Sequence, residues 1–283
     1  TSVGAPCDTD NVASNLGAGY KTFQQYSQAK NQQQTAKMKP QTIPPQYKQL
    51  VDKYPKLLNT DFHSDVPKHG VVHHIDTGDS KPCTAKVRPL MPGSPKAVQG
   101  QKDWLHLESM GIVERVPPHK CNVWTSAIHL VPKPDGTLRC CGDFRALNDK
   151  TLLDGYPLPN LQSFTHQMRG ATIFSKVDLT KAFHQIPLDP ESQAKTTMVT
   201  PWGTFMFKKL AMGLRNSAQS FQRLVDHVLT GLPKVFAYMD DILVHSETEE
   251  EHIIILGQLF QRLNDAGLAI NLGKCVFGTE SLE

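Results

Sequence analysis

Two adjacent carboxylates interrupt an apolar stretch of the chain and constrain how it can fold. Asp240 and Asp241 lie in the segment from Phe236 to Ser246, between the apolar runs 235–238 and 242–244. Both runs consist mainly of β-branched, aliphatic and aromatic residues, which is typical of short buried strands. The segment therefore predicts a β-hairpin with two negative charges at its turn. Because Asp is depleted in strands and costly to bury without a partner, the pair is either a turn cap or a functional site.

Strands and helices alternate along the rest of the chain beyond about residue 42. Hydrophobic periodicity and turn residues predict a strand at 70–75, a hairpin over 127–141, a strand over 171–179, two strands around Pro201–Gly203 and short strands after residue 267. Helices are predicted over 44–58 with an interruption at Pro55, from the Ser94–Pro95 cap to about Gly111, over Ser217–Leu229 and over Glu249–Ala266. This order favours an α+β domain, in which helices cover one face of an antiparallel sheet.

Composition limits the remaining possibilities. The first 42 residues are rich in Gln, Ser, Asn and Lys, which predicts a solvated linker. The six cysteines form no CxxC pair, so reduced intracellular thiols are expected. A net charge of +3 over 283 residues indicates only a weak preference for anionic partners. No apolar run is as long as a membrane span, so no membrane partner is expected.

A third carboxylate, Asp178, ends the apolar strand predicted over 171–179. If that strand and the hairpin are neighbours in one sheet, Asp178, Asp240 and Asp241 converge at one end of it. Carboxylates a few ångströms apart repel each other, and divalent cations remove this penalty. Mg²⁺ prefers oxygen ligands, and two such ions about 3.5–4 Å apart stabilise an in-line phosphoryl displacement. The three aspartates therefore predict a site for two Mg²⁺ ions, with Mn²⁺ as a substitute, of the kind that polymerases and nucleases use.

Several motifs occur in an order that resembles reverse transcriptases, most closely those of gypsy-type LTR retrotransposon Pol polyproteins. They are LVPKPDGTLRCCGDFRALN (Leu130–Asn148), YPLPN (Tyr156–Asn160), KVDLTKAFHQIPL (Lys176–Leu188), LAMGLRNSAQSFQRLVD (Leu210–Asp226) and YMDD (Tyr238–Asp241). The resemblance extends from about Phe62 to Phe277. It implies the fingers and palm of a right-hand polymerase, with an antiparallel palm sheet and helices packed on one face. It also implies RNA-directed DNA polymerase activity, which is a nucleotidyltransferase reaction.

The resemblance assigns roles to individual residues. The catalytic and metal-binding residues are Asp178, Asp240 and Asp241. The nucleotide-binding residues are Lys133, Arg139, Leu179, Phe183, Met212 and Gln222. Within that set, Leu179 offers a backbone carbonyl to the metal, and Phe183 is a steric gate against a ribose 2′-hydroxyl. The residues expected near primer and template are Tyr238, Met239 and Gly213. Apart from the resemblance, salt-sensitive contact with nucleic acid would need basic side chains, and the candidates for phosphate contacts are Lys208, Lys209, Arg215 and Arg223.

The same resemblance implies a domain division and a set of partners. Residues 1–60 are expected to form a linker, largely disordered, with a short helix. Residues 61–170 form an N-terminal extension and the fingers, and residues 171–283 form the palm, ending before the thumb. The implied partners are an RNA or DNA template with its primer, deoxynucleoside triphosphates, and the thumb, RNase H and integrase segments of Pol. The implied location is intracellular, in a cytoplasmic particle or in the nucleus.

Three alternatives stay open at this point. Asp76-Thr77-Gly78 matches the triplet of aspartic proteases, although the adjoining Asp79 and the charged, proline-rich surroundings disfavour that class. A non-catalytic relic would keep the fold without the activity. Another right-hand polymerase, such as a non-LTR or intron-encoded enzyme, is disfavoured by the VPKPDG hairpin and the YMDD spacing.

Overall fold

The computed structural model describes residues 43–59, 61–63, 68–117, 119–120, 122–132, 138–159, 168–238 and 241–281. Their helices are α1 (Pro45–Asp52), α2 (Pro95–Ser109), α3 (Arg145–Asn148), α4 (Pro190–Lys195), α5 (Ser217–Leu229) and α6 (Glu249–Ala266), with 3₁₀ helices at Pro55–Leu58 and Ala182–Gln185. Their strands are β1 (Val113–Arg115), β2 (Ser126–Pro132), β3 (Leu138–Asp143), β4 (Ile173–Asp178), β5 (Met198–Thr200), β6 (Gly203–Phe207), β7 (Val235–Tyr238), β8 (Asp241–Ser246) and β9 (Val276–Thr279). The linker expected over residues 1–42 lies outside the described residues. Within the described ranges, no helix is both long enough and apolar enough to cross a membrane.

Two sheets organise these strands. The first has the order β1-β6-β5-β2-β3, and the second has the order β7-β8-β4-β9. Every pair in the second sheet is antiparallel, as predicted for the palm, whereas the first sheet contains one parallel pair, β2 with β5. β5 and β6 come from the segment predicted to be palm, yet they pair into the first sheet beside strands predicted to be fingers. The two parts therefore interleave along the chain, and the boundary at residue 170 stays a prediction.

Apolar side chains on β4 and β8 determine the register of the second sheet. Val177 pairs with Ile242, and their side chains are almost completely buried, as is that of Val244 two residues further along β8. Successive side chains of a strand point to opposite faces of the sheet. Lys176 and Asp178, on either side of Val177, therefore lie on the other, partly exposed face.

Helices α5 and α6 pack against the second sheet, as predicted. α5 contacts β7, α6 contacts β8, and the contact between the two helices puts them on the same side of the sheet. The apolar side chains that α6 buries recur at helical spacing, namely Ile255, Leu256, Leu259, Phe260 and Leu263. The helix begins where Thr248 Oγ1 accepts a hydrogen bond of 3.3 Å from the Glu251 N–H. It ends at Gly267, whose φ of 73° is the left-handed conformation that closes many helices.

The helix predicted over 44–58 is present and belongs to the core. Pro55 interrupts it as expected, so α1 ends at Asp52 and a 3₁₀ helix follows. Tyr47 of α1 stacks on Phe277 of β9, with ring centroids 5.9 Å apart and 22° between the ring planes. α1 also contacts α6. Residues 43–59 are therefore packed against the second sheet instead of being solvated.

The strand predicted at 70–75 is wrong. In that part of the described chain, only His73 makes a bridge, which runs parallel to Leu188. His73 Nδ1 also lies 2.7 Å from Ser220 Oγ of α5. His73 and Ile75 are both buried, so this segment packs into the core without pairing as a β-strand.

Gly278→Ala should destabilise the fold markedly. Gly278 has a φ of 63°, and an added Cβ would lie 2.5 Å from the Tyr47 ring and hydroxyl. Overpacking and a non-glycine residue at positive φ together cost roughly 2–4 kcal/mol, which urea denaturation measures as a loss of unfolding free energy. Gly231→Ala is the matched control, since its φ is 78° but no described atom lies within 4 Å of the added Cβ. Equal losses in the two variants would contradict the packing argument.

Acidification should destabilise the fold through buried histidines, among them His73 and His252. Burial is the main cause that lowers the pKa of His73 and of His252 to about 4, against about 6.5 in an unfolded chain. The unfolded chain then binds these protons first, so the stability conferred by the neutral histidines is lost as the pH falls from about 6.5 towards 4. Equilibrium unfolding across this window should show a decreasing free energy of unfolding. His252→Gln should make that dependence shallower, and an unchanged slope would show that His252 does not contribute.

Candidate active site

Asp178 and Asp241 lie opposite each other at one end of the second sheet. They are Cα partners in the antiparallel pairing of β4 with β8. Side chains directly opposite in such a pair have Cβ atoms about 4.5–5.5 Å apart. The Asp178 side chain is 15% exposed and the Asp241 side chain is 38% exposed. Two of the three aspartates that the sequence predicts to converge are thus neighbours, within reach of solvent.

Two lysines offset the charges of these aspartates. Lys176 Nζ lies 2.7 Å from Asp241 Oδ2, and Lys274 Nζ lies 3.9 Å from Asp178 Oδ2. Lys176 precedes Asp178 by two residues on β4, so the two side chains share one face of the strand. Neighbouring carboxylates repel each other unless cations compensate them. The site is therefore one in which cations are attracted to a pair of fixed carboxylates.

The backbone of Asp178 is held by a segment that follows α6. The Asp178 N–H donates to Cys275 Sγ at 3.4 Å, and its carbonyl accepts from the Asn271 N–H at 2.8 Å. The Cys275 thiol donates in turn to the Asn271 carbonyl at 3.3 Å. Burial raises the pKa of Cys275 to about 12, and the negative charges of Asp178 and Asp241 act in the same direction. Cys275 is therefore a neutral packing group beneath the carboxylates.

The chain turns sharply after Asp178. Leu179 is buried and forms an isolated bridge with Ile270. Lys181 then takes a left-handed conformation, with φ 48° and ψ 46°, and the 3₁₀ helix Ala182–Gln185 follows. This change of backbone hand ends the strand at the carboxylates and redirects the chain beneath them.

Phe183 lies in that 3₁₀ helix, where the resemblance places a steric gate. Its ring is half-buried, and its centroid lies 5.5 Å from that of Phe221 on α5. The ring is thus fixed by α5 on one side. Packing of this kind suits a rigid wall, and the gate itself stays a prediction.

The predicted residues in the 210–226 motif lie in and before α5. Met212 is 48% exposed, and the adjacent Gly213 has a φ of 87°, while its carbonyl accepts from Asn148 Nδ2 at 2.8 Å. Gln222 is buried, and its Nε2 donates to Asp226 Oδ1 at 2.8 Å. The amide orientation of Gln222 is therefore set from within the protein.

The four further candidates for phosphate contacts have protein partners or are buried. Arg223 pairs with Asp154 at 2.9 Å and stacks over the Tyr156 ring, with 4.5 Å to the centroid. The remaining three behave similarly: Lys208 pairs with Glu114, Arg215 donates to the Asn148 carbonyl, and Lys209 is only 5% exposed. These contacts disfavour a primary phosphate-binding role, above all for Lys209.

Five predicted site residues cannot be placed in full. Lys133, Met239 and Asp240 lie outside the described residues. For Arg139 and Tyr238 only the backbone is described, and it pairs with Val131 and with Asp241 respectively.

The donor set at the sheet end fits a divalent cation. Asp178 and Asp241 offer hard oxygen donors on adjacent strands, which is what Mg²⁺ and Mn²⁺ prefer. Among the described residues no group of three or more His, Cys, Asp or Glu side chains forms such a site, and Asp240 lies outside them. Of the predicted trio, Asp178 and Asp241 are therefore the two carboxylates among the described residues that fit such a site.

Sequence reasoning missed the lysine and the cysteine that surround the carboxylates. The position of Lys176 could have been predicted from the sequence, because Lys176 is two residues from Asp178 on a predicted strand and must share its face. The position of Cys275 could not, since its contact with Asp178 spans 97 positions of the chain.

The protease-like triplet forms a local turn. Asp76 Oδ1 accepts from the Gly78 N–H at 2.9 Å, which is an Asx turn. The Asp76 carbonyl accepts from the Leu152 N–H, and no described strand flanks the triplet. The geometry supports a structural role for Asp76 and adds nothing to the protease alternative.

Several curated proteins with similar sequences are transposon polyproteins. A family model described as reverse transcriptase (RNA-dependent DNA polymerase) matches residues 131–283. The retrovirus-related Pol polyprotein from transposon 297 of Drosophila melanogaster is 30% identical over 255 residues, which cover 87% of this chain and 23% of that protein. The transposon Tf2-3 polyprotein of Schizosaccharomyces pombe is 34% identical over 196 residues, which cover 67% of this chain and 14% of that protein. The chain thus spans less than a quarter of the length of these relatives.

Several solved structures with a similar fold are foamy viral protease-reverse transcriptases. One, named dRH and in complex with double-stranded DNA, has a TM-score of 0.72 and 26% identity, covering 85% of this chain and 42% of that chain. Another, in complex with an RNA/DNA hybrid, has a TM-score of 0.70 and 26% identity, covering 83% of this chain and 32% of that chain. The fold described above is therefore the fold of that class over most of the chain.

The Cys275 thiol should resist alkylation in the native protein. Its pKa of about 12 leaves almost no thiolate at pH 8, and its side chain is 1% exposed. Iodoacetamide at pH 8 followed by peptide mass spectrometry should label the partly exposed Cys83 first, and Cys275 only after addition of urea. Labelling of Cys275 at the rate of Cys83 in native buffer would contradict the burial beneath Asp178.

Proposed function

The chain belongs to the reverse transcriptase (RNA-dependent DNA polymerase) family, and we propose that it supplies the fingers and palm of an RNA-directed DNA polymerase. Such a nucleotidyltransferase extends a primer 3′-hydroxyl with deoxynucleoside triphosphates on an RNA or DNA template. The observation that carries the proposal is the placement of Asp178 directly opposite Asp241, the residue that follows Asp240 in the sequence. Two carboxylates fixed on adjacent strands are the part of this chemistry that the protein must supply.

The proposed cofactor is a pair of Mg²⁺ ions, which Mn²⁺ can replace. Asp178, Asp240 and Asp241 hold them, and the backbone carbonyl of Leu179 is a further ligand. When bound, the ions supply Lewis-acid stabilisation of the attacking and leaving oxygens. The chain itself supplies the placement of the carboxylates, through strand pairing on one side and the contacts of residues 271–275 on the other.

The turn after Asp178 supports a triphosphate site. A left-handed residue followed by right-handed ones aims successive backbone N–H groups into one concavity, which binds anions, and Lys181 with the 3₁₀ helix after it has this pattern. Phe183 forms the wall of the sugar site and excludes a ribose 2′-hydroxyl. Lys133 and Arg139, in the hairpin predicted for the fingers, neutralise phosphate oxygens.

The nascent base pair and the template lie against the motif that leads into α5. Met212 is sufficiently exposed to contact a base, and the positive φ of Gly213 lets the backbone approach closely. Gln222, which is buried and oriented by Asp226, packs beneath this motif in the proposal and is assigned to the nucleotide site by resemblance. Tyr238 and Met239 adjoin the primer terminus in this proposal.

The wider setting is a Pol polyprotein of a gypsy-type LTR retrotransposon. This extension is supported by the names of the similar proteins, which are transposon polyproteins. The chain then acts with a thumb, an RNase H and an integrase segment, inside a cytoplasmic particle or in the nucleus. Its own division into a linker (1–60), an extension with fingers (61–170) and a palm (171–283) belongs to the same proposal.

Primer extension on a defined RNA template with Mg²⁺ tests the proposed activity. Asp178→Asn and Asp240→Asn should each lower the extension rate roughly a thousand-fold or more, because metal charge stabilisation is worth several kcal/mol and each 1.36 kcal/mol is a factor of ten. Asp79→Asn, at an exposed turn, should leave the rate unchanged. Primer extension that persists in Asp178→Asn would contradict the two-metal assignment. Template binding without extension by the native chain would favour a non-catalytic relic only if extension is also absent when a family thumb is fused after Glu283.

Lys176→Met should tighten divalent-ion binding. The Lys176 ammonium holds the Asp241 oxygen that a metal would bind, and the pair is partly exposed. A pair of this kind is worth about 0.4–1 kcal/mol, so Mn²⁺ should bind roughly two- to five-fold more tightly in low salt, with a smaller gain in high salt. Calorimetric titration with Mn²⁺ measures the change. Lys234→Met, which removes the same charge from an ion pair with Glu251 near the other end of the sheet, should have no effect; a similar gain in both variants would reveal a general charge effect.

A further inference from the structure

Gln185 uses its whole side-chain amide to join two segments of the chain. It lies at the end of the 3₁₀ helix after Asp178 and is 9% exposed. Its Nε2 donates to the Thr180 carbonyl and to the Ala269 carbonyl, each at 2.8 Å. Its Oε1 accepts from the Ala269 N–H at 2.7 Å. A primary amide has two donor hydrogens, so both donors are committed and the acceptor is occupied.

The two joined segments are those that surround the candidate metal ligand. Thr180 lies two residues after Asp178, and its N–H donates to the Ala269 carbonyl at 2.9 Å. Ala269 is followed by Ile270, which bridges to Leu179. Asn271 comes next, and its N–H donates to the Asp178 carbonyl. Gln185 therefore closes a short ladder that runs from the end of β4 to the segment before β9.

Gln185 is itself held in place from the outside. The imidazole Nε2 of His69 lies 3.2 Å from the main-chain carbonyl oxygen of Gln185. Burial lowers the pKa of His69 and so favours its neutral form, in which Nε2 carries the proton and donates this hydrogen bond. The other ring nitrogen, Nδ1, accepts from the Val71 N–H at 3.1 Å. His69 therefore holds the main chain of Gln185, while the side-chain amide of Gln185 binds Thr180 and Ala269.

We propose that Gln185 is a positioning residue for Asp178. By locking residues 178–180 against residues 269–271, it presents the Asp178 carboxylate in one orientation to a divalent cation. The inference rests on the proposed metal role of Asp178. It predicts that the amide matters for metal affinity although it touches no metal, because partners that orient a ligand typically change affinity by about 10–100-fold.

Mn²⁺ binding to the 283-residue chain, followed by electron paramagnetic resonance, tests the proposal. Gln185→Met keeps the length of the side chain and removes all three hydrogen bonds, so Mn²⁺ should bind roughly ten-fold more weakly or worse. Gln193→Met is the matched control, because Gln193 also donates from a partly buried amide to a backbone carbonyl, that of Leu188, at 2.8 Å. It should bind Mn²⁺ as the native chain does. Asp178→Asn reports the loss of the ligand itself.

A second variant and a thermal measurement distinguish a loss of Mn²⁺ affinity from misfolding. Gln185→Asn keeps the amide but is one methylene too short to reach both Thr180 and Ala269, so its Mn²⁺ affinity should fall as well. The Mn²⁺-induced rise in Tm, measured for each variant from its own metal-free Tm, separates metal affinity from baseline stability.

Native Mn²⁺ affinity in Gln185→Met or in Gln185→Asn would overturn the positioning role. An equal loss of affinity in Gln193→Met would overturn it too, since a general loss of stability would then explain the result. Failure of the native chain to bind Mn²⁺, or unchanged binding in Asp178→Asn, would instead refute the proposed metal site and this inference with it.

Discussion

The pairing register of β4 with β8 is the constraint on which the site depends. It sets Asp178 against Asp241, although 63 positions separate them in the chain. A slip of one residue would turn Asp178 towards the buried face and bring Val177 out of it. Burial of Val177 and Ile242 therefore stabilises the sheet and places the carboxylates in the same step. Packing of the sheet and placement of the two carboxylates share one register, so neither can change without the other.

The remaining elements act on that pair from two sides. On the exposed face, Lys176 and Lys274 compensate the carboxylate charges. Beneath it, residues 269–275 bind the backbone of Asp178 and of the turn that follows, and Gln185 ties the same two segments together. The carboxylates therefore lie between backbone hydrogen bonds on one side and lysine ammonium groups on the other.

Sequence patterns predicted the local elements well and the long-range contacts poorly. The hairpin, α6 and the strand ending at Asp178 follow from periodicity and caps, which act within a few residues. The apolar run at 70–75 wrongly predicted a strand, because a hydrophobic run does not specify a hydrogen-bonding partner. The interleaving of β5 and β6 into the first sheet, and the contact of Gln185 with Ala269 across 84 positions, depend on tertiary packing that no local signal encodes.

Anomalous diffraction from crystals of the chain grown with Mn²⁺ would test the central claim most directly. We expect an anomalous peak within about 2.0–2.3 Å of carboxylate oxygens of both Asp178 and Asp241, with the Lys176 ammonium moved away from Asp241. The peak should disappear in crystals of Asp178→Asn. A chain that keeps the Lys176–Asp241 ion pair and shows no peak between the two strands at saturating Mn²⁺ would contradict the central claim.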